Sequence, residues 1–215
     1  MKRLSTVICI TTCVLISVLT SAPASGEIIN GGFEDSPDLT GWVCDGSVFK
    51  RDYEMSRDFL PPIAPDWAPR EGNYFASIWT TDQQGRDGLM STSFTASAGE
   101  FLSFDYFFDF GDVALHPDLA RAVLAQPSWV PVTLFEHNTP GHDLLDDQNI
   151  GWTTVLYELP EDGEYSLTFE TEDALVGGFE SILGIDNVVV TPEPSCALLL
   201  GAGALSVLSR RRRAD

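Results

Sequence analysis

Cysteine is scarce in this sequence, and between its two terminal apolar segments, in the part called the body here, no disulfide bond can form within the chain. The 215 residues include four cysteines, and three of them, Cys9, Cys13 and Cys196, lie in apolar segments near the two ends. Cys44 is the one cysteine between those segments, so the body cannot form an intrachain disulfide. We expect its thiol to be buried and inert rather than catalytic.

Basic residues are scarce as well. Residues 27–191 contain 6 lysines and arginines but 30 aspartates and glutamates, which gives this region a net charge of −24. Such a charge repels nucleic acid and anionic membrane surfaces, and it therefore excludes both as partners of the body. It suits a solvated protein outside the cell, and it supplies oxygen ligands for hard cations such as calcium.

Familiar catalytic motifs are also missing. The sequence has no Gly-x-Ser-x-Gly elbow, no His-Glu-x-x-His pair and no phosphate-binding glycine loop. His137 and His142 flank a turn sequence in which histidines are usually solvated. Carboxylate pairs such as Asp105 and Asp109 arise by chance among so many acids, so spacing alone does not indicate a glycosidase. We therefore predict that the protein is not an enzyme.

The C-terminus combines three unlike elements. Pro192, Glu193 and Pro194 precede an apolar run at 196–208. Four arginines follow that run: Arg210, Arg211, Arg212 and Arg213. At about 1.5 Å per residue the run spans about 20 Å of a hydrocarbon layer that is roughly 30 Å thick, and the arginines should stay cytoplasmic. We expect a weak transmembrane helix at 196–208 that holds the body outside the cytoplasm.

This order of elements resembles the PEP-CTERM sorting signal of Gram-negative bacteria, and the match covers residues 191–213. The resemblance implies an exosortase-type membrane protease as a partner, with cleavage near the Pro-Glu-Pro motif. The protein would then pass from the inner membrane to the cell surface, the outer membrane or the medium. Such systems accompany exopolysaccharide production. A single-span anchor that is never cleaved is the alternative.

The N-terminus agrees with export. Lys2 and Arg3 precede an apolar segment at 7–19, and small residues at 22–26 offer a cleavage site. We predict a signal peptide at 1–26 for the Sec export machinery, a folded domain at 27–190 and the sorting signal at 191–215. About 165 residues is an ordinary size for one domain.

Within the body, alternation of apolar and polar residues predicts strands. In 101–110 one face carries Leu102, Phe104, Tyr106, Phe108 and Phe110, while Ser103, Asp105 and Asp109 fall on the other, outward face. Segment 117–125 fits either a short helix or a strand. Six further strands are predicted between turn sequences: 73–79, 89–94, 129–135, 152–158, 164–170 and 182–190. This pattern indicates an all-β protein with a single jelly-roll β-sandwich.

A second resemblance concerns this body. Residues 29–34 and 181–188 look like the opening and the final strand of galactose-binding-like carbohydrate-binding modules. The resemblance implies that these two segments lie side by side and that structural calcium pins their loops. Carried over by position, Glu34 and Asp186 would be the acidic ligands, with backbone carbonyls at 30–32 assisting. In the alternative interpretation, Glu34 caps a turn and Asp186 accepts local hydrogen bonds.

Sugar binding by a sandwich usually needs an exposed aromatic plane that stacks on a pyranose ring. Trp67 lies in a proline-rich loop, and a rigid loop loses little entropy on binding. Phe59, Tyr53 and Arg70 are near it in sequence, and Arg70 could bind hydroxyls or an acidic sugar. We therefore predict a polysaccharide site at these four residues, with simple packing of Trp67 in the loop as the alternative.

These observations predict an exported surface or matrix protein whose non-catalytic sandwich binds polysaccharide. A purely structural matrix or coat protein without a specific ligand is one alternative, and a carbohydrate-active enzyme is another. Under the first interpretation, replacing Trp67 with alanine should abolish glycan binding.

Overall fold

Two antiparallel β-sheets pack face to face in the computed structural model. The model describes residues 26–35, 38–56, 66–80, 87–110, 118–138, 149–173 and 180–192. These ranges contain no helix that is long and apolar enough to cross a membrane. The ten strands are β1 (Val43–Asp45), β2 (Val48–Arg51), β3 (Phe75–Trp79), β4 (Leu89–Ala96), β5 (Phe101–Asp109), β6 (Asp118–Ala125), β7 (Val132–Asn138), β8 (Ile150–Glu158), β9 (Gly163–Asp173) and β10 (Ile182–Thr191).

Each sheet has five strands. One has the order β1-β4-β9-β6-β7 and is called the open sheet here, since nothing described covers its outer face. The other has the order β2-β3-β10-β5-β8 and is called the covered sheet. The predicted all-β jelly-roll sandwich is confirmed. Of the segments predicted for export and sorting, 1–26 and 191–215, residues 1–25 and 193–215 lie outside the described residues.

Strand β6 resolves the ambiguity at 117–125 in favour of a strand. Burial alternates along Asp118–Ala125, which is the period-2 pattern of a strand with one face on the core. Strands β1 and β2 were not predicted, because they are only three and four residues long, with β1 exposed throughout and β2 mostly half-buried. Such short segments carry too little alternation to be recognised.

The main core lies between the sheets and is rich in aromatic rings. Phe104 of β5 contacts Phe135 of β7 and Phe169 of β9, with centroid distances of 6.1 and 5.0 Å. Tyr106 stacks on Phe135 at 4.0 Å. These side chains alternate with outward-facing residues along each strand, so burial of one face of each sheet holds the sandwich together.

A second apolar cluster lies on the outer face of the covered sheet. Its buried members are Trp67, Phe75, Phe107 and Ile182, and Trp79 and Trp152 pack against them. Trp67 is supplied by residues 66–74, which cross this face and are called the strap. The C-terminal half of β5 is consequently buried on both faces. The prediction that Asp105 and Asp109 point to solvent is wrong, because the exposed fractions of the two residues are 8 % and 0 %.

The first described segment lies beside the last strand, as the second resemblance implied. The Val188 amide donates to the Gly31 carbonyl at 2.9 Å. A side chain at Gly31 would overlap the Val188 carbonyl, so this close approach requires glycine. The contact places Glu34, just after this turn, near the strap and the end of β10.

Candidate functional site

Trp67 occupies a different environment from the one predicted. The residue is only 8 % exposed, and its ring stacks on Phe107 with centroids 4.2 Å apart and planes 6° apart. Its indole Nε1 donates to Asp109 Oδ2 at 2.5 Å. The expected exposed plane is therefore wrong: the ring is already stacked on an aromatic partner and leaves no free face for a sugar.

The other predicted sugar-binding residues do not join Trp67 in a cleft. Tyr53 is 48 % exposed, and its hydroxyl donates to the Asp66 carboxylate. Arg70 is exposed, and its backbone amide donates to Asp186 at 2.9 Å. Phe59 lies outside the described residues. Neither Tyr53 nor Arg70 lines the groove described below.

The two predicted calcium ligands both hold the strap. Glu34 Oε1 accepts hydrogen bonds from the backbone amides of Asn73 and Tyr74 at 2.7 and 3.0 Å. Asp186 Oδ2 accepts from the amides of Arg70 and Glu71 at 2.9 and 3.1 Å. Two carboxylates, one from each end of the domain, thus fix the same loop through N–H donors.

Their electrostatic environments differ. Burial is the largest influence on Asp186 and raises its pKa to about 6, although three backbone N–H donors work against that shift. The Asn73 amide is the largest influence on Glu34 and lowers its pKa. The exposed Glu34 carboxylate is therefore the better stabilised anion, whereas burial makes the charged form of Asp186 costly because it is desolvated.

The observed arrangement does not fit a calcium ligand set. Calcium takes 6–8 oxygens at about 2.3–2.6 Å, whereas N–H donors point at both carboxylates. The carbonyls of Asn30 and Gly31 also accept hydrogen bonds, from Phe33 and Val188 respectively. Within the described ranges no three His, Cys, Asp or Glu side chains cluster as metal ligands. Glu34 and Asp186 act here as hydrogen-bond acceptors, and calcium stays a prediction.

A groove at one edge of the sandwich offers a more open surface. It lies between β1 and β2, the edge strands of the two sheets, and has a volume of about 640 Å³, within the range of about 300–1,000 Å³ for small-molecule sites. We call it the edge groove. Its lining residues are Glu34, Asp38, Leu39, Cys44, Val48, Phe49, Lys50, Arg51 and Tyr74.

Aromatic rings and cations alternate along this groove. Phe49 and Tyr74 are 38 % and 37 % exposed. Lys50 Nζ lies 4.2 Å from the centroid of the Tyr74 ring, and the Arg51 guanidinium lies 4.8 Å from that of Phe49. Both distances suit cation–π contacts, which hold the long cationic side chains against the rings. The groove therefore combines apolar planes with hydrogen-bond donors.

Cys44 also lines the groove, and it is exposed. The expectation of a buried thiol is wrong, because β1 is a short edge strand that leaves its side chains uncovered. Partial desolvation raises the pKa of the thiol, which keeps it protonated and weakly nucleophilic at neutral pH. This environment supports the expectation that the thiol is unreactive, but not the expectation that it is buried.

One feature of the sequence marks the edge groove, although no site was predicted from it. Lys50 and Arg51 are adjacent cations in a region with only 6 basic residues, and Phe49 precedes them. Two adjacent positive charges are unusual in a region where acidic residues greatly outnumber basic ones. Its meaning depended on β2 lying at an edge, which the sequence did not reveal.

Comparisons with known proteins place the fold in a broad context. No family model matches the chain, and no curated protein matches it either. Among solved structures it is similar to TmCBM61 in complex with β-1,4-galactotriose, with a TM-score of 0.48 and 16 % identity over 77 % of this chain and 97 % of that one. It is also similar to the K2 cleaved adhesin domain of Lys-gingipain, with a TM-score of 0.43 and 12 % identity over 75 % and 96 %.

A third similar structure is the CBM22-1 xylan-binding domain from Paenibacillus barcinonensis Xyn10C. Its TM-score is 0.40 and its identity 10 %, over 76 % of this chain and 92 % of that one. Carbohydrate-binding module sandwiches thus recur among the structural neighbours of this chain. The ligands named for those proteins are theirs.

Proposed function

We propose that this protein is an exported surface or matrix protein whose β-sandwich binds polysaccharide in the edge groove, without catalysis. The observation that carries the proposal is the exposure of Phe49 and Tyr74 in a groove whose rim bears hydrogen-bonding side chains. Sugars offer an apolar ring face and a belt of hydroxyls, and such a mixture of aromatic planes and polar groups matches both.

The carboxylate pair considered for hydrolysis, Asp105 and Asp109, is not accessible to a substrate. Asp105 accepts hydrogen bonds from Thr154 and Asn187, and Asp109 accepts one from Trp67. Both residues are buried under the strap, where a glycosidic bond has no access to them. A glycosidase needs an acid and a second carboxylate on either side of that bond.

Export and sorting belong to the same proposal and rest on the terminal sequences. The PEP-CTERM resemblance at 191–213 supports release by an exosortase-type protease, and the apolar segment at 7–19 supports entry into the Sec pathway. Mass spectrometry of the protein from its native host tests this part. A C-terminus near Pro194 is expected, and an intact Arg210–Arg213 tail on the surface protein would contradict cleavage.

Binding is tested with the full-length protein, purified in a mild detergent and titrated with a panel that includes β-1,4-galactan and xylan. Saturable binding is expected, and Tyr74→Ala should weaken it by about tenfold, the effect of losing one aromatic contact. Tyr53→Ala is the matched control, because Tyr53 is similarly exposed but lies outside the groove.

Each result has a distinct meaning. Equal losses in both variants would contradict the edge groove as the site, and no binding to any polysaccharide would favour the structural matrix protein. Repeating the titration with calcium and with a chelator tests the predicted ion at Glu34 and Asp186. Dependence of binding or of thermal stability on calcium would overturn the view that N–H donors alone satisfy these carboxylates.

A further inference from the structure

Positively charged side chains are few in this domain, and they are unevenly distributed over it. The described ranges contain four cationic side chains of lysine or arginine, in a body whose net charge is −24. Those four are Lys50, Arg51, Arg70 and Arg121. Two of the four line the edge groove. A neutral sugar has no need of a cation, so this concentration within an acidic domain points to a ligand that carries negative charge.

Lys50 differs in its partners from Arg51 and Arg121, each of which lies beside a carboxylate. Arg121 is bonded to Glu170 on the open sheet, and Arg51 Nε lies 3.4 Å from Glu54 Oε2. Lys50 Nζ instead donates to the Asp35 carbonyl at 2.6 Å, and it forms no ion pair with a carboxylate of the described residues. An ammonium group has three donors, so Lys50 can bind an incoming anion as well.

Two acids, Glu34 and Asp38, also line the groove, and Glu34 competes weakly for Lys50. Lys50 contributes to lowering the pKa of Glu34, but the Asn73 amide is the larger cause. Both Glu34 oxygens already accept hydrogen bonds, from the amides of Asn73 and Tyr74 and from the Asn73 side chain. The Glu34 carboxylate is therefore committed to the strap, which leaves Lys50 available.

Tyr74 places an aromatic ring beside this cation. The Lys50 ammonium is 4.2 Å from the ring centroid, and the ring remains 37 % exposed. A pyranose that packs on the exposed part of the ring would bring a carboxylate on its C5 within reach of the ammonium. Uronic acids carry their charge at that position of the sugar ring.

We infer that the edge groove selects carboxylated polysaccharides of the uronate type, with Lys50 pairing with the uronate carboxylate while Tyr74 packs against the sugar ring. This inference rests on the proposed function and specifies its ligand class. The Lys50–carboxylate bond is charge-assisted, and such bonds contribute more than neutral ones. The net charge of the domain repels an anionic polymer at long range, but at an ionic strength of about 0.15 M the Debye length is about 8 Å, so that repulsion is largely screened while the short Lys50–carboxylate contact persists.

The test compares polygalacturonate with its highly methyl-esterified form, which keeps the same backbone without the charge. The full-length protein in mild detergent should bind polygalacturonate about tenfold more tightly than the esterified form at an ionic strength of about 0.15 M, as expected for one charge-assisted bond. Lys50→Gln should remove that preference. Arg121→Gln removes the same charge from the opposite sheet and should keep it, and unchanged melting temperatures would show that both variants are folded.

Other outcomes separate this inference from the proposed function. Equal affinity for the two forms, or a preference that survives in Lys50→Gln, would overturn the uronate assignment while leaving polysaccharide binding intact. Stronger binding to dextran sulfate than to polygalacturonate would also overturn it, since general attraction to polyanions would then suffice. Failure to bind any polysaccharide would remove both proposals together.

Discussion

The outer faces of both sheets carry polar residues, but one face is exposed to solvent and the other is covered by the strap. On the open sheet, β9 alternates between buried residues and exposed or half-buried ones, and Arg121 and Glu170 pair there within reach of solvent. On the covered sheet, β5 is buried on both faces over its C-terminal half. The comparison teaches that polar alternation reports the pleat of a strand, whereas exposure depends on whatever packs over the outer face.

The strap changes the role of the acids beneath it. Asp109 accepts the Trp67 indole N–H, and Asp186 accepts the amides of Arg70 and Glu71. An acid without partners in such a place would be strongly destabilising. The covered face is therefore stable only while the strap supplies its donors, and the open face has no such dependence.

Trp67→Ala should break this contrast most severely. The variant loses the stack on Phe107 and leaves the Asp109 carboxylate without its indole donor. We expect the free energy of unfolding to fall by about 3–5 kcal/mol, the usual cost of removing a large buried aromatic ring. Chemical denaturation followed by circular dichroism measures it.

Two variants serve as controls for Trp67. Trp67→Phe keeps a ring without the N–H group, so it isolates the hydrogen bond to Asp109 and should cost about 1–3 kcal/mol. Val123→Ala truncates a half-buried side chain on the outer face of the open sheet and should cost less than about 1 kcal/mol. If Trp67→Ala cost no more than Val123→Ala, the strap would not be packed as described.

Asp186 makes the stability of the covered face depend on pH. Its pKa is raised from 3.8 to about 6, chiefly by burial, so the folded state binds this proton more tightly than the unfolded state. Unfolding free energy should therefore fall as pH rises from about 4 to about 6, by at most about 3 kcal/mol for this group, and its contribution should be constant above that window.

Substitution separates this residue from the general effect of charge. Asp186→Asn removes the titration and should flatten stability between pH 4 and 6. Glu172→Gln removes the same charge from an exposed position on β9 and reports how much of the slope comes from net charge alone. Equal slopes in the two variants would show that the buried carboxylate has no special part in it.

Much of the fold was predictable because the strands that supply the core residues are long. The alternation in 101–110 and 164–170 identified β5 and β9, and their inner aromatic residues form the core. The ends were less certain: Trp129 was assigned to a strand but lies in a turn, and its amide donates to the Gln126 carbonyl. Strand ends depend on turn hydrogen bonds, which leave little trace in hydrophobicity.

The candidate site was much harder to predict. Sequence proximity grouped Tyr53, Trp67 and Arg70, but the strap turns Trp67 inwards and leaves the other two exposed. Glu34 and Asp186 were predicted as calcium ligands, and both hold the strap through N–H groups, while the calcium itself stays a prediction. The edge groove brings together Lys50 of β2 and Tyr74 at the end of the strap, a juxtaposition that is created by the pairing of β2 with β3 and not by sequence distance.

Two glycines of the covered sheet give the smallest and most local version of the comparison. A side chain at Gly184 of β10 would overlap the Phe107 ring beneath the strap, whereas one at Gly151 of β8 would meet nothing within 4 Å. Neither residue has a positive φ, so the backbone tolerates alanine at both.

Gly184→Ala should lower the free energy of unfolding by about 1–3 kcal/mol, the cost of overpacking, because Phe107 is held between Trp67 and Phe75. Gly151→Ala should be neutral or stabilising by a few tenths of a kcal/mol, since alanine restricts the unfolded chain. Thermal melts of the two variants side by side measure the difference, and equal melting temperatures would mean that Phe107 can move aside and that the covered face is loosely packed.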